Sequence, residues 1–285
     1  MWKHERGFIY CYDDIKGILQ SNSKPEINYI AQLMSSNPVD TFVKNKHFLL
    51  IYPLIFILGA VINLVCPQKA IQNLIGKHYL LKSNNIVNVI FAYNGNTIFL
   101  VLFSLVAVAK ILYLKYQSSV EYLPVQNDIR STSLERSRLK TQLALREYAI
   151  KLTLKYAVLY VLFFFIDHVF LWTGGSCSTD STVTDALFCR KIGGKWDGGF
   201  DISGHFCFIT NISLVLWFEI FEFPYSSSFW KNYKIGALIP VLVTWSFILT
   251  VTSIFYHTFL EKLLGCALGF ACPYFMYYLA KGYLY

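Results

Sequence analysis

Two short polar stretches in an otherwise apolar chain carry side chains suited to phosphoryl transfer. The first, Gly198-Gly199-Phe200-Asp201-Ile202-Ser203-Gly204-His205, ends where a long apolar run begins. The second, Ser253-Ile254-Phe255-Tyr256-His257-Thr258-Phe259-Leu260-Glu261-Lys262, lies between two further apolar runs. Transfer through a phosphohistidine needs a neutral imidazole to attack phosphorus, a proton-bearing group for the leaving oxygen, and positive charge around the phosphate. His257 and His205 supply the first two types. Glu261 follows His257 at i+4, and on a helix that spacing lets the carboxylate hold the tautomer whose other nitrogen is free to attack.

Ser203 and Gly204, just ahead of the apolar run, offer a hydroxyl and an amide at a helix start, where negative charge is favoured. The available cations are Arg190, Lys191, Lys195 and Lys262, with Arg190 best suited to bidentate phosphate contact. Each of them, taken alone, reads more simply as a solvated loop charge. Asp167 and His168 fall inside another apolar run, and with Asp201 they are candidates for support. Ionisable groups at that depth are costly, so the pair reads either as functional or as bonded to neighbouring helices. Two histidines at helix ends are individually ordinary interfacial residues. Their coincidence on one face, one with a glutamate at i+4, favours the catalytic reading.

The elements that must position these residues are membrane helices. The 285 residues are 55% hydrophobic and 18% aromatic, with a mean hydropathy of +0.45, more than a soluble domain of this length can bury. The apolar residues come in six runs, at about 48–66, 90–112, 156–172, 205–223, 235–256 and 263–280. Each is near the roughly 20 residues that cross about 30 Å of hydrocarbon. The expected fold is all-α, a polytopic membrane protein with six transmembrane helices over 48–285, preceded by an arm over 1–47. No apolar core precedes Phe48, so no cleaved signal peptide is expected and the first span acts as the insertion signal.

Ser23, Pro25 and Glu26 fit the start of a helix in the arm, read either as lying on the membrane surface or as a short packed segment. Asn94 and Asn96 in the second run are expected to bond a neighbouring helix. Residues 115–155 read as a charged loop with helical character from Ser133. The Asn211-Ile212-Ser213 sequon falls inside a span and is not expected to be glycosylated.

Six spans place both termini on one side. On that side fall 18 of the Lys and Arg residues, against 7 on the other, so the positive-inside rule puts the termini in the cytosol. Orientation also accounts for the net charge of +8, since the basic residues flank spans and form no nucleic-acid motif. His205 and His257 then share the lumenal boundary. Cys177 and Cys189 lie in the same compartment, where a disulfide is allowed. They are too far apart in sequence for a usual zinc ligand pair, and the proposed chemistry needs neither metal nor cofactor.

These residues resemble the fat storage-inducing transmembrane (FIT) family in its yeast-type form. The resemblance rests on Phe165-Ile166-Asp167-His168-Val169-Phe170 with Trp172-Thr173-Gly174-Gly175, on Gly194 to His205, and on Tyr256-His257-Thr258-Phe259-Leu260-Glu261-Lys262. It implies an endoplasmic reticulum protein related to lipid phosphate phosphatases, with a role in ER lipid balance and lipid droplet formation. The implied partners are a fatty acyl-CoA substrate and ER membrane lipids. The implied reaction cleaves the substrate's diphosphate to acyl 4'-phosphopantetheine and adenosine 3',5'-bisphosphate. Carried over by position, His205 protonates the leaving group and His257 is the nucleophile. The chain departs from the phosphatase pattern at Val251, where an arginine is usual, at Glu261, which replaces an aspartate, and in lacking a Lys-rich first motif. Two alternatives remain open at this level: a phosphatase acting on phosphatidate or lysophosphatidate, and a non-catalytic protein that organises neutral lipid.

Overall fold

A computed structural model describes residues 46–120, 129–221 and 238–280. The arm helix expected near residues 23–34 lies outside them. Apart from turns and short irregular segments, the described chain is helical with one two-stranded antiparallel pair, β1 (Ser176–Cys177) and β2 (Trp196–Asp197). The helices are α1 (Lys46–Val65), α2 (Gln68–Lys77), α3 (Ile86–Asn88), α4 (Gly95–Val120), α5 (Ile129–Trp172), α6 (Ala186–Lys191), α7 (Gly204–Phe221), α8 (Ile239–Phe255) and α9 (Phe259–Tyr274).

Within the described residues, each of the six expected apolar runs is built mainly of helix. Four stretches, Phe48–Val65, Tyr79–Tyr116, Ser137–Trp172 and Phe259–Leu279, are long and apolar enough to cross a membrane. The runs in α7 and α8 are shorter apolar helices, Gly204–Ile220 and Ile239–Phe255. The outward faces of α1, α5 and α8 are apolar, with Leu58, Leu64, Tyr160, Val161 and Val243 among the most exposed large side chains, as lipid-facing helices require.

After α1, Pro67 caps α2, Ile71 anchors that helix in the core, and a 3₁₀ turn, Tyr79–Leu81, follows. Two expectations need correction. Asn96 bonds Lys155 of α5 as expected, but among the described residues Asn94 bonds no neighbouring helix; it sits at the break between a π turn, Val89–Tyr93, and α4, and its amide donates to the Val89 carbonyl of its own turn. The third run is not a separate span after a loop. It is the last part of α5, whose 44 residues rise about 66 Å, twice the hydrocarbon thickness. Its charged first half contains no strong breaker, so the helix simply continues.

The centre of the bundle is α7. Ile209, Ile212, Leu214, Val215 and Leu216 are all fully buried, so it is covered on every side. Its closest neighbour is α9, which presents Gly265 and Gly269 one turn apart. A β-carbon at Gly265 would lie 2.5 Å from the Ser203 carbonyl oxygen, and one at Gly269 would lie 2.7 Å from Thr210 Cβ. Small residues at this spacing let helix backbones approach where no hydrophobic effect drives them together. A Gly269→Leu variant has no room for its side chain and is expected to lose about 1–3 kcal/mol of stability, measured as a lowered unfolding temperature in detergent.

Candidate active site

The two polar stretches meet, and backbone hydrogen-bonding capacity explains how. The segment before α7 has N–H groups with no helical partner, and the turn between α8 and α9 supplies their acceptors. Ser203 N–H donates to the Glu261 carbonyl at 3.1 Å. Asp201 N–H donates to Glu261 Oε1 at 3.0 Å, while Thr258 N–H donates to Glu261 Oε2 at 2.6 Å. The second of these carboxylate contacts belongs to a capping box: Thr258 caps α9 and Glu261 is its third residue. One buried carboxylate therefore starts α9 and holds the α7 entry segment against it.

The expected Glu261–His257 pair is corrected by this arrangement. His257 is not on a helix with Glu261, because α8 ends at Phe255 and Thr258 begins the next. Its Nδ1 is 3.8 Å from Glu261 Oε2 and 2.9 Å from the Asp201 carbonyl oxygen. A carbonyl only accepts, so Nδ1 carries the proton and Nε2 is left with its lone pair. The tautomer suited to attack is present, set by a main-chain oxygen instead of the glutamate. His257 also has φ +60°, a left-handed conformation that costs a non-glycine residue about 1–2 kcal/mol. Strain of this kind persists only where surrounding bonds over-determine it, and it clusters at functional sites.

His205 stands at the first turn of α7, in electrostatic reach of His257. Its Nε2 is 2.9 Å from Asn88 Oδ1. The Asn88 amide nitrogen donates to the Ser83 carbonyl, so the oxygen faces the imidazole and accepts its proton. Asn88 was not singled out from the sequence. The signal available was the Asn85-Ile-Val-Asn88 spacing of a side-chain cap, since Asn85 Oδ1 accepts from Asn88 N–H at 2.8 Å.

The remaining candidates divide. Asp201 is half-buried beside His257, its Oδ2 3.6 Å from Nδ1. Burial raises its carboxyl above the usual range, Glu261 adds to this, and His257 and Arg190 oppose it. Arg190 is exposed on the last turn of α6, and its charge is felt at both Asp201 and His205. Lys191 and Lys195 are exposed nearby in the chain. Asp167 accepts a hydrogen bond from Ala186 at the start of α6, and so helps place the helix that carries Arg190. Cys177 and Cys189 form a disulfide, Cα–Cα 5.8 Å, that ties α6 to the β pair.

Three candidates lie elsewhere. Ser203 is fully buried against α9, and its N–H is already taken by Glu261. Lys262 is buried and donates to the Ser253 carbonyl at 2.8 Å, on the last turn of α8. His168 bonds the Phe164 carbonyl of its own helix at 2.8 Å and packs between Phe164 and Trp172. Gly204 opens α7 beside His205 with Phe163 nearest to it. Among the described residues no group of His, Cys, Asp and Glu is arranged to hold a metal ion.

The fold and site define a multi-pass helical membrane protein with two histidines in electrostatic reach of each other where three helix ends meet. Residues 76–235 and 224–277 match the profile of the fat storage-inducing transmembrane protein family. The chain belongs to that family. Acyl-coenzyme A diphosphatase YFT2 of Saccharomyces cerevisiae is 42% identical over 250 residues, 81% of this chain and 90% of the relative. Acyl-coenzyme A diphosphatase fit1 of Schizosaccharomyces pombe is 38% identical over 106 residues, 35% of this chain and 42% of its own. The Xenopus laevis protein named acyl-coenzyme A diphosphatase FITM2 is 30% identical over 129 residues, 41% of this chain and 47% of its own. No solved structure matches the chain.

Because both Glu261 oxygens accept backbone protons, a glutamine can replace only one of them. Glu261→Gln is expected to lose about 1–2 kcal/mol and Glu261→Ala about 2–4 kcal/mol, read as successive falls in the thermal unfolding midpoint of the purified protein.

Proposed function

We propose that the protein is a fatty acyl-CoA diphosphatase of the ER membrane, cleaving acyl-CoA to acyl 4'-phosphopantetheine and adenosine 3',5'-bisphosphate, and that it supports ER lipid balance and lipid droplet formation through this reaction. The observation that carries the reading is the complementary pair of tautomers: His257 keeps Nε2 unprotonated, and His205 keeps a proton on Nε2 through Asn88. The names of the relatives support the substrate.

In the proposed mechanism His257 Nε2 attacks a phosphorus of the diphosphate. A P–N bond forms as the bridging P–O bond breaks, and the departing phosphate takes a proton from His205. The substrate's negative charge favours the imidazolium form of His205, whose Nδ1–H then serves as donor. Water next attacks the phosphohistidine, giving its proton to His205 as the P–N bond breaks. Attack at either phosphorus yields the same two products. Arg190, with Lys191 and Lys195 in support, supplies the positive charge.

Six spans fit this reading. The 18 residues of α7 and 17 of α8 rise about 26 Å, close to the roughly 27 Å hydrocarbon of an ER bilayer. With the buried Lys151, Lys155 and Lys262 set aside, the charge count is 16 against 6 and still favours cytosolic termini and a lumenal site. The acyl chain stays in the bilayer while the CoA head meets the histidines at its surface.

Mass spectrometry of products from oleoyl-CoA tests the reaction. Wild type is expected to give both products, His257→Ala neither, and His205→Ala about 10²–10⁴-fold less; release of inorganic phosphate from phosphatidate with no cleavage of oleoyl-CoA would sink the proposal. Asn88→Leu leaves His205 without its acceptor, and kcat is expected to fall about tenfold or more with the pH–rate profile displaced.

A further inference from the structure

Lys155 is fully buried in the interior of the bundle. Its ammonium donates to Asn96 Oδ1 and lies over the rings of Tyr156 and Phe99, at 4.1 and 4.3 Å. Lys151, one turn earlier, has Glu147 and Glu219 at 2.6 Å, but among the described residues no carboxylate pairs with Lys155. An ammonium has three donors, and a buried charge without hydrogen-bonding partners is costly inside a membrane. Asn211 is also fully buried, and among the described residues neither its oxygen nor its nitrogen has a partner beyond the Cys272 thiol. The Lys155 charge reaches that same thiol. Four helices thus deliver an under-used cation, two amides and a thiol to one place.

The depth of this place is informative. Phe163 of α5 is the closest contact of a β-carbon built on Gly204, at 3.4 Å, beside His205. Lys155 is eight residues earlier in α5, about 12 Å further into the bundle at 1.5 Å per residue. The Phe208 ring, on the next turn of α7 from Gly204, is 5.9 Å from its Nζ. A pantetheine arm joins the diphosphate of acyl-CoA to its thioester through roughly twelve bonds, about 14 Å when extended like a backbone of equal bond count. The arm carries two amides and ends in a carbonyl oxygen, which is what a lysine and an unpaired asparagine can bind.

We propose that Lys155, Asn96 and Asn211 form the subsite for the thioester end of the substrate, with the Lys155 ammonium donating to the thioester carbonyl oxygen and Asn211 pairing with the adjacent amide of the arm. The proposal rests on the diphosphatase reading and extends it: the protein selects acyl-CoA by the spacing between diphosphate and thioester. The under-used groups are the cost of that selection, since their remaining hydrogen-bonding capacity is met only when the arm is bound.

The test compares oleoyl-CoA with its S-oleyl thioether, which has the same diphosphate and chain but no carbonyl oxygen. Wild-type full-length protein in detergent is expected to favour the thioester in kcat/KM by about tenfold or more. Lys155→Met is expected to erase the preference by losing rate on the thioester alone. Asn211→Leu removes buried polar atoms the protein does not pair, so its unfolding temperature is expected to rise while kcat/KM for oleoyl-CoA falls. Equal wild-type rates on the two substrates, an equal loss on both in Lys155→Met, or an undiminished Asn211→Leu each overturn the subsite while leaving the diphosphatase intact. Should Lys155→Met fail to fold, the wild-type ratio and Asn211→Leu decide. Wild type that cleaves neither substrate removes the diphosphatase reading and the subsite with it.

Discussion

The carboxylate of Glu261 is the interaction on which the site depends. It receives the Thr258 N–H that starts α9 and the Asp201 N–H of the segment that leads into α7. Two helix ends arriving at one place would otherwise expose several unpaired donors, and a charged acceptor satisfies them more strongly than water or a neutral group. The Ser203–Glu261 main-chain bond adds to the same seam. Once Asp201 is held there, its carbonyl oxygen lies where His257 must donate, and the imidazole's free nitrogen is determined.

This clasp works because α7 is rigidly placed. A helix buried on all sides cannot tilt without moving every neighbour, and the close approach at Gly265 and Gly269 removes the remaining slack against α9. The same burial explains the concentration of polar groups on α7. Outward-facing residues there would meet neighbouring helices and not lipid, so Asn211, Ser213 and Glu219 are tolerated, and Glu219 pairs with Lys151 and Tyr277. Around this core the disulfide-bearing segment is an addition on the site's side, tied to α5 through Asp167 and carrying Arg190 within electrostatic reach of His205 and Asp201.

Much of the site was legible because it depends on residue type and order. His205 at the start of an apolar run and His257 between two runs had to share one end of the bundle wherever the helices packed. The cysteines of the intervening loop had to share a compartment. The failures were of contact. Glu261 at i+4 from His257 invites a helical pairing, yet those residues also spell the start of a helix at Thr258, and a capping box won. Ser203 and Lys262 looked available for phosphate until packing turned one into α9 and sent the other to the end of α8. Asn88 lies more than a hundred residues from His205, a separation at which local spacing carries no information.

The sequence by itself determined the membrane class, the number of apolar runs and the family, and it singled out the two candidate histidines, because these follow from composition, hydrophobic length and chain order. Only the tertiary structure decided which atom holds each imidazole, that α5 runs unbroken, and that Lys155 is buried against Asn96. Hydrogen-bond partners in a bundle are chosen by helix rotation and depth. Those are set by the packing of every helix against the others and are written in no single stretch of the chain.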